Sequence, residues 1–205
     1  MRPYLTDLLR RLTDTTPFTS SEESVSWSAH REAEQLEDLT IVNELASVAA
    51  KLPADQRRAS YFVIGKIGAR LGDEQCATVL LDLLPRERNK YNLDCLLTVL
   101  GEIPKGRDVD LSPVFALLGD QRWLVRHASI MALRRSASPL AEERLIEHLS
   151  GTSDPLDQGY CHSVLNEIGT PRAIPAIEAN LGSRKRDVRI SAQLALEAIA
   201  AREVS

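Results

Sequence analysis

The chain has 205 residues, of which 43% are hydrophobic and 26% are charged, and its formal net charge at pH 7 is −4. This composition is typical of a folded protein, and the negative charge balance excludes the general attraction to polyanions that supplies most non-specific nucleic-acid binding. The three cysteines are widely spaced and form neither a disulfide framework nor a C-x-x-C zinc pair. We therefore expect a cytoplasmic protein without a membrane span.

The first third of the chain has helical patterns but no internal repeat. Residues 13–20, TDTTPFTS, form a predicted linker, and Ser20-x-x-Glu23 is a capping box that predicts the start of a helix. The apolar spacing in residues 39–52 predicts another helix. We interpret residues 1–53 as an N-terminal helical cap, because the first unit of a repeat array must cover one apolar face and meet water on the other.

From residue 54 onward the apolar residues recur at the interval of a helical hairpin. Each predicted first helix closes on an anchor residue, and successive anchors are 36, 33, 32 and 31 residues apart. The anchors are Ile64, Leu100, Leu133, Leu165 and Leu196. The predicted second helices end on Leu84, Leu118, Leu149 and Leu181. The pattern predicts an all-α fold, an α-solenoid (α-α superhelix) of stacked helical hairpins over residues 54–205, with about five units of which the last is incomplete.

Two stretches share the same sequence pattern. DQRWLVRHASIMAL (residues 120–133) and DVRISAQLALEA (residues 187–198) each carry Val-Arg followed by Ala-Leu. This pattern resembles the HEAT-repeat family, in the short form also found in bilin-lyase-type proteins. The resemblance implies a ladder between adjacent units in which an aspartate precedes an arginine by six positions. Asp120 and Arg126 match that pair, and Arg189 holds the arginine position in the last copy.

No catalytic or metal-binding constellation stands out in the sequence. The four histidines lie on different predicted helices without a His or Cys partner at i, i+4, so we predict no metal site. Cys161 and His162 are adjacent and project from different sides of a helix, which excludes a simple nucleophile–base pair. We expect a non-enzymatic protein without a cofactor.

Acidic and apolar residues of the predicted second helices suggest a binding surface. These helices should form the concave wall of the solenoid, and a partner protein with a basic segment and an apolar anchor would complement them. Trp123 has two interpretations, a binding anchor or a packing residue at the start of a helix. The predicted partner-binding residues are Asp82, Phe115, Trp123, Glu143, Glu147 and Glu178. A stand-alone module of this kind resembles an adaptor or a bacterial immunity protein that neutralises a toxin.

The sequence is also compatible with other functions. A predicted edge of basic residues supports the alternative of a HEAT-like DNA-binding protein or DNA-repair glycosylase, and the short repeat also permits a tetrapyrrole-lyase subunit. The basic edge comprises Arg86, Arg122, Arg184, Lys185 and Arg186. The last predicted helix carries a second apolar stripe through Ile190 and Leu194, which should either fold against the preceding unit or serve as a contact surface for self-association.

Overall fold

The computed structural model describes residues 1–203. Within these residues the chain forms twelve α-helices and no β-strand, so the predicted all-α solenoid of helical hairpins is confirmed. The chain divides into two compact units, one from Met1 to Ile103 and one that begins at Pro104. No helix in residues 1–203 combines the length and the apolar character needed to cross a membrane.

The first unit contains six helices. They are α1 (Pro3–Leu12), α2 (Val25–Ala33), α3 (Leu39–Val48), α4 (Ala54–Leu71), α5 (Glu74–Leu83) and α6 (Lys90–Glu102). Helices α1, α2 and α3 all pack on α4. Their contacts agree with the interpretation of residues 1–53 as a cap, which stays a prediction.

The start of α2 differs from the predicted capping box. Ser20 makes no side-chain cap, and the Glu23 carboxylate instead accepts hydrogen bonds from the backbone N–H and hydroxyl of Thr19. Ser24 is the residue that caps α2, through a hydrogen bond of 3.1 Å from the Trp27 N–H to its Oγ. The prediction is wrong by four residues, because Ser24 also precedes the apolar run and offers the same hydroxyl acceptor.

Close helix packing in the first unit depends on a glycine that follows an anchor. Ile64 and Leu100 are fully buried, and a Cβ built at Gly65 would overlap the side chain of Val99. The absence of a side chain at Gly65 therefore allows α4 and α6 to approach closely.

A buried carboxylate links α4 to the segment before α6. Glu87 accepts hydrogen bonds from Arg57 Nε at 2.7 Å, from the Tyr61 hydroxyl at 3.1 Å and from Asn92 Nδ2 at 3.1 Å. Burial alone would raise the pKa of Glu87, but these donors and the N–H groups of Asn89 and Arg88 lower its pKa to about 2. Glu87 is therefore ionised and fixes the position of Arg57.

The second unit contains the other six helices, arranged in two layers. They are α7 (Ser112–Phe115), α8 (Trp123–Ala132), α9 (Pro139–Gly151), α10 (Pro155–Ile168), α11 (Ile174–Glu178) and α12 (Arg186–Glu203). Helix α10 packs between α8 and α12, and these three form the first-helix layer. Helices α7, α9 and α11 form the second-helix layer, on the side where the sequence predicts the concave wall.

Most of the predicted closing residues of the second unit are buried, but they depart from the pattern at three positions. Leu196 is only half-buried, and Leu118 is buried but lies beyond the end of α7 at Phe115. Leu133 and Leu165 are fully buried, and so are Leu145 and Ile177 on the second helices. Leu181 is 43% exposed, so its prediction as the closing residue of a second helix is wrong. Helix α11 ends at Glu178, and Leu181 lies in the turn beyond it.

Candidate functional site

A groove opens between α7 and α9 in the second-helix layer. Its cavity has a volume of about 700 Å³, and we call it the α7–α9 groove. Phe115 and Leu118 supply apolar surface, while Arg144, Glu147 and His148 supply polar groups from successive turns of α9. This mixture of an apolar floor and a charged rim resembles the anatomy of a protein–protein interface.

The carboxylates near the groove have basic neighbours. Glu147 accepts a hydrogen bond of 2.7 Å from Arg144 Nη1, three residues earlier on the same helix. Glu143 lies 3.8 Å from Arg172 Nη2. All four side chains are largely exposed, and exposed pairs of this kind contribute little to stability. Both carboxylates therefore remain accessible to a competing cation.

The predicted binding residues fall into separate places. Phe115 and Glu147 line the α7–α9 groove together, and Glu178 is exposed on α11. Trp123 begins α8 and lies in the first-helix layer, away from the residues that line the groove. Asp82 is exposed on α5 in the first unit.

The predicted ladder pair of Asp120 and Arg126 forms through the backbone of Asp120 and not through its carboxylate. Arg126 Nη1 donates to the backbone carbonyl of Asp120 at 3.0 Å, whereas the Asp120 carboxylate pairs with Arg122 at 2.7 Å. The carboxylate partners of Arg126 are Asp157, with Nε at 2.8 and 3.0 Å from its two oxygens, and Asp154, with Nη2 at 3.1 Å. The ladder therefore runs from α8 to the first turn of α10.

The backbone contact of Arg126 recurs along the second unit. Gln158 Nε2 donates to the carbonyl of Thr152 at 3.2 Å, and Arg189 Nη1 donates to the carbonyl of Ser183 at 2.6 Å. Each donor lies six residues after its acceptor. Arg189 thus holds the expected arginine position, although its bond is to a carbonyl and not to a carboxylate.

Asp157 lies at the centre of a buried polar cluster that was not predicted from the sequence. His127 Nε2 lies 2.9 Å from one Asp157 oxygen and His148 Nε2 lies 3.3 Å from the other, although neither contact has hydrogen-bond geometry. His148 also lines the α7–α9 groove. The signal in the sequence is weak, because these residues come from three helices and Asp157 follows Arg126 by 31 positions.

This cluster also contains the one group of side chains in residues 1–203 whose spacing would suit a metal ion. The ligand atoms of His127, Asp154 and Asp157 lie within 4.8 Å of one another. However, the guanidinium of Arg126 already contacts both carboxylates, and it places a fixed positive charge where a metal ion would bind. The geometry thus favours a structural ion-pair network, and the absence of a metal site stays a prediction.

A second cavity, of about 620 Å³, lies at the turns that follow α8 and α10. Its two carboxylates hold those turns. Glu142 accepts hydrogen bonds from the N–H of Thr170 at 2.6 Å and from its hydroxyl at 2.8 Å, and Glu167 accepts from Arg134 Nε at 2.8 Å and from the Arg135 N–H at 3.0 Å. Arg135 has φ of 54°, which is uncommon for a residue other than glycine. These contacts explain the polar residues of the cavity as turn supports.

The predicted basic edge does not form one uniform group. Arg122 pairs with Asp120, while Arg184, Lys185 and Arg186 are exposed around the start of α12. Arg86 is exposed in the first unit. A function of this basic edge stays a prediction.

Comparison with known proteins agrees with this architecture. Residues 111–197 match the family model for HEAT repeats. Residues 111–197 therefore consist of HEAT repeats. No curated protein sequence shows a significant match to this chain.

Solved structures share the fold at low sequence identity. A designed armadillo repeat protein aligns with a TM-score of 0.55 and 18% identity, covering 95% of this chain and 99% of that chain. Another designed armadillo repeat protein, in complex with the peptide (KR)4, aligns with a TM-score of 0.59 and 16% identity, again covering 95% and 99%. An engineered protein aligns with a TM-score of 0.59 and 18% identity, covering 98% of this chain and 100% of that chain. These similarities support the helical-repeat fold.

Proposed function

We propose that this chain is a non-enzymatic interaction module that binds a segment of a partner protein in the α7–α9 groove. One observation carries the proposal: an open cavity of about 700 Å³ places Phe115 and Leu118 beside the charged side chains of Arg144 and Glu147. Burial of apolar surface supplies affinity at such a site, and the surrounding charges orient the partner and select against others.

The partner segment should combine an apolar anchor with basic residues. The anchor would pack on Phe115, and a lysine or arginine would replace Arg144 or Arg172 as the partner of Glu147 or Glu143. That exchange has a small energetic cost, because each existing pair is largely exposed and the Glu143–Arg172 distance is 3.8 Å. The complex of a designed armadillo repeat protein with (KR)4 provides a suitable first probe peptide.

The direct test compares labelled (KR)4 with the same peptide carrying a central phenylalanine, by fluorescence anisotropy at low salt. We expect the phenylalanine peptide to bind more tightly, because only that peptide can use the apolar floor. Glu143→Lys combined with Glu147→Lys should weaken its binding by more than about tenfold without changing the melting temperature.

A matched charge reversal at the basic edge serves as the control. Arg184→Glu combined with Lys185→Glu changes the charge by the same magnitude at exposed positions outside the groove. This variant should retain peptide binding. If it loses binding while the glutamate variant keeps it, the basic edge is the functional surface and the groove proposal is wrong.

The cellular role we propose is that of an adaptor or of an immunity protein that covers a toxin. The two roles differ in what the partner does when it is free. The partner captured from native cells should therefore be expressed with and without this chain. Growth arrest only in the absence of the chain supports the immunity role, and normal growth in both cases supports the adaptor role.

A further inference from the structure

A small apolar cavity lies on the first-helix layer of the second unit, on helices that do not line the α7–α9 groove. It has a volume of about 310 Å³, and we call it the outer cavity. Met131 of α8, Leu156 and Tyr160 of α10 and Val188 of α12 supply its apolar lining. Pockets near this volume are at the lower limit for small-molecule sites, so the outer cavity suits a single large side chain.

Gly159 keeps this cavity open. Six positions before the anchor, α8 has His127 and α12 has Ile190, whereas α10 has Gly159. A Cβ built at Gly159 would meet no atom within 4 Å, so no neighbouring helix requires a glycine there. Glycine inside a helix is less favourable than alanine, and helix packing does not account for a glycine at this position. Its lack of a side chain leaves the volume above this part of α10 open.

Exposed aromatic and aliphatic side chains surround the outer cavity. Leu156 is 61% exposed and Trp123 is 62% exposed. The ring of His127 contacts both Trp123 and Tyr160, with centroid separations of 5.6 and 4.8 Å, so Trp123 is linked through His127 to the Tyr160 side of the cavity. Tryptophan and tyrosine are the residues most enriched where partner proteins gain their binding energy.

One carboxylate gives the outer cavity a charge preference. Asp187 of α12 lines the cavity, is exposed, and makes no ion pair within residues 1–203. Arg184, Lys185, Arg186 and Arg189 are exposed near Asp187, but none of them lines the cavity. Asp187 is the one charged side chain among the described residues that line it, so a cation held at the cavity would pair with Asp187.

We infer that the outer cavity is a second binding site, which takes a large apolar side chain flanked by lysine or arginine from a partner protein. The apolar lining accommodates the side chain, the space above Gly159 provides the depth, and Asp187 pairs with the flanking cation. This site does not rest on the proposed function of the α7–α9 groove, because the two share no lining residue.

The test uses two capped tripeptides, Lys-Trp-Lys and Glu-Trp-Glu, titrated into the isotopically labelled full chain and followed by amide NMR shifts. Lys-Trp-Lys should shift the signals of Gly159, Ser163 and Ser191 with an affinity on the order of 1 mM, and Glu-Trp-Glu should bind at least about tenfold more weakly. Equal binding of the two peptides, or no shift at these three signals, would overturn the inference.

Two variants separate the cavity from the groove. Gly159→Leu fills the outer cavity at a position where a side chain meets open space, so it should fold normally and lose the peptide-induced shifts. Gly151→Leu places the same side chain in open space at the α7–α9 groove and should keep those shifts. Unchanged shifts in Gly159→Leu would overturn the inference. Concentration-dependent shifts of the same three signals without peptide would also overturn it, because the occupant would then be a second copy of this chain.

Discussion

The Arg126 guanidinium on α8 binds the buried Asp157 carboxylate on α10, at 2.8 and 3.0 Å from its two oxygens. Asp157 is 2% exposed, and His127 and His148 enclose its other side. Asp157→Asn removes the more buried of the two carboxylates that pair with the Arg126 guanidinium, the other being Asp154. We expect it to lower the free energy of unfolding by about 2–3 kcal/mol, measured by urea denaturation.

Asp120→Asn is the matched control for this substitution. Within residues 1–203 the Asp120 carboxylate forms an ion pair only with the partly exposed Arg122, and the carbonyl that Arg126 contacts stays in place. The loss should be below about 1 kcal/mol. Equal losses in the two variants would contradict the assignment of Asp157 as the ladder residue.

His162 should make stability dependent on pH. Burial lowers the pKa of His162 from its ordinary 6.5 to about 4, and its Nδ1 lies 2.9 Å from the Ser191 hydroxyl. Between these two pKa values the unfolded chain binds a proton that the folded chain does not, so stability falls as pH decreases from about 6.5 to 4. Compared with His162→Leu, the wild-type chain should lose about 3 kcal/mol more over this interval, measured by urea denaturation at several pH values. Parallel pH profiles of the two chains would show that His162 does not titrate in this way.

The periodicity of the apolar residues was sufficient to predict the repeat array. Leu100, Leu133 and Leu165 are fully buried as expected, because a recurring helical stripe reports directly on packing. The side-chain network around Asp157 was not predictable, since hydrogen-bond partners 31 residues apart depend on how successive units stack. The capping error at Ser20 has a local cause, because Ser24 offers an equivalent hydroxyl.

The candidate sites were predictable only in part. Phe115 and Glu147 were expected on one surface and do line one groove. The outer cavity was not anticipated, because a glycine within a helix gives no sign of whether a neighbour approaches it. The pairing of Glu147 with Arg144 was also not predicted, although residues at i and i+3 are neighbours on a helix surface.

Two glycines of the helix interiors should respond in opposite ways to alanine. At Gly65 the added Cβ would overlap Val99, so Gly65→Ala should lower the free energy of unfolding by about 1–3 kcal/mol. At Gly159 the added Cβ meets open space, so Gly159→Ala should raise stability by about 0.5–1 kcal/mol. Thermal denaturation of both variants checks this pair, and changes of the same sign would refute it.

The second apolar stripe of α12 is exposed and does not fold against the preceding helices. Ile190 is 44% exposed and Leu194 is 53% exposed, whereas Ala192 and Ala195 on the other side are buried. We expect self-association through this stripe, so that Leu194→Glu stays monomeric at concentrations where the wild-type chain associates, measured by analytical ultracentrifugation. Its melting temperature should not change, because Leu194 has few contacts to lose. Ala200→Glu adds the same charge at an exposed position outside the stripe and should associate normally.

The contacts from Arg126, Gln158 and Arg189 to backbone carbonyls have a consequence for how this chain tolerates sequence change. A carbonyl is present whatever side chain its residue carries, and the three accepting positions hold Asp120, Thr152 and Ser183. Mutations at the accepting positions therefore leave the contact intact. The contact that positions each first helix uses the backbone of the preceding turn. The side chains of these turns can therefore differ without loss of that contact.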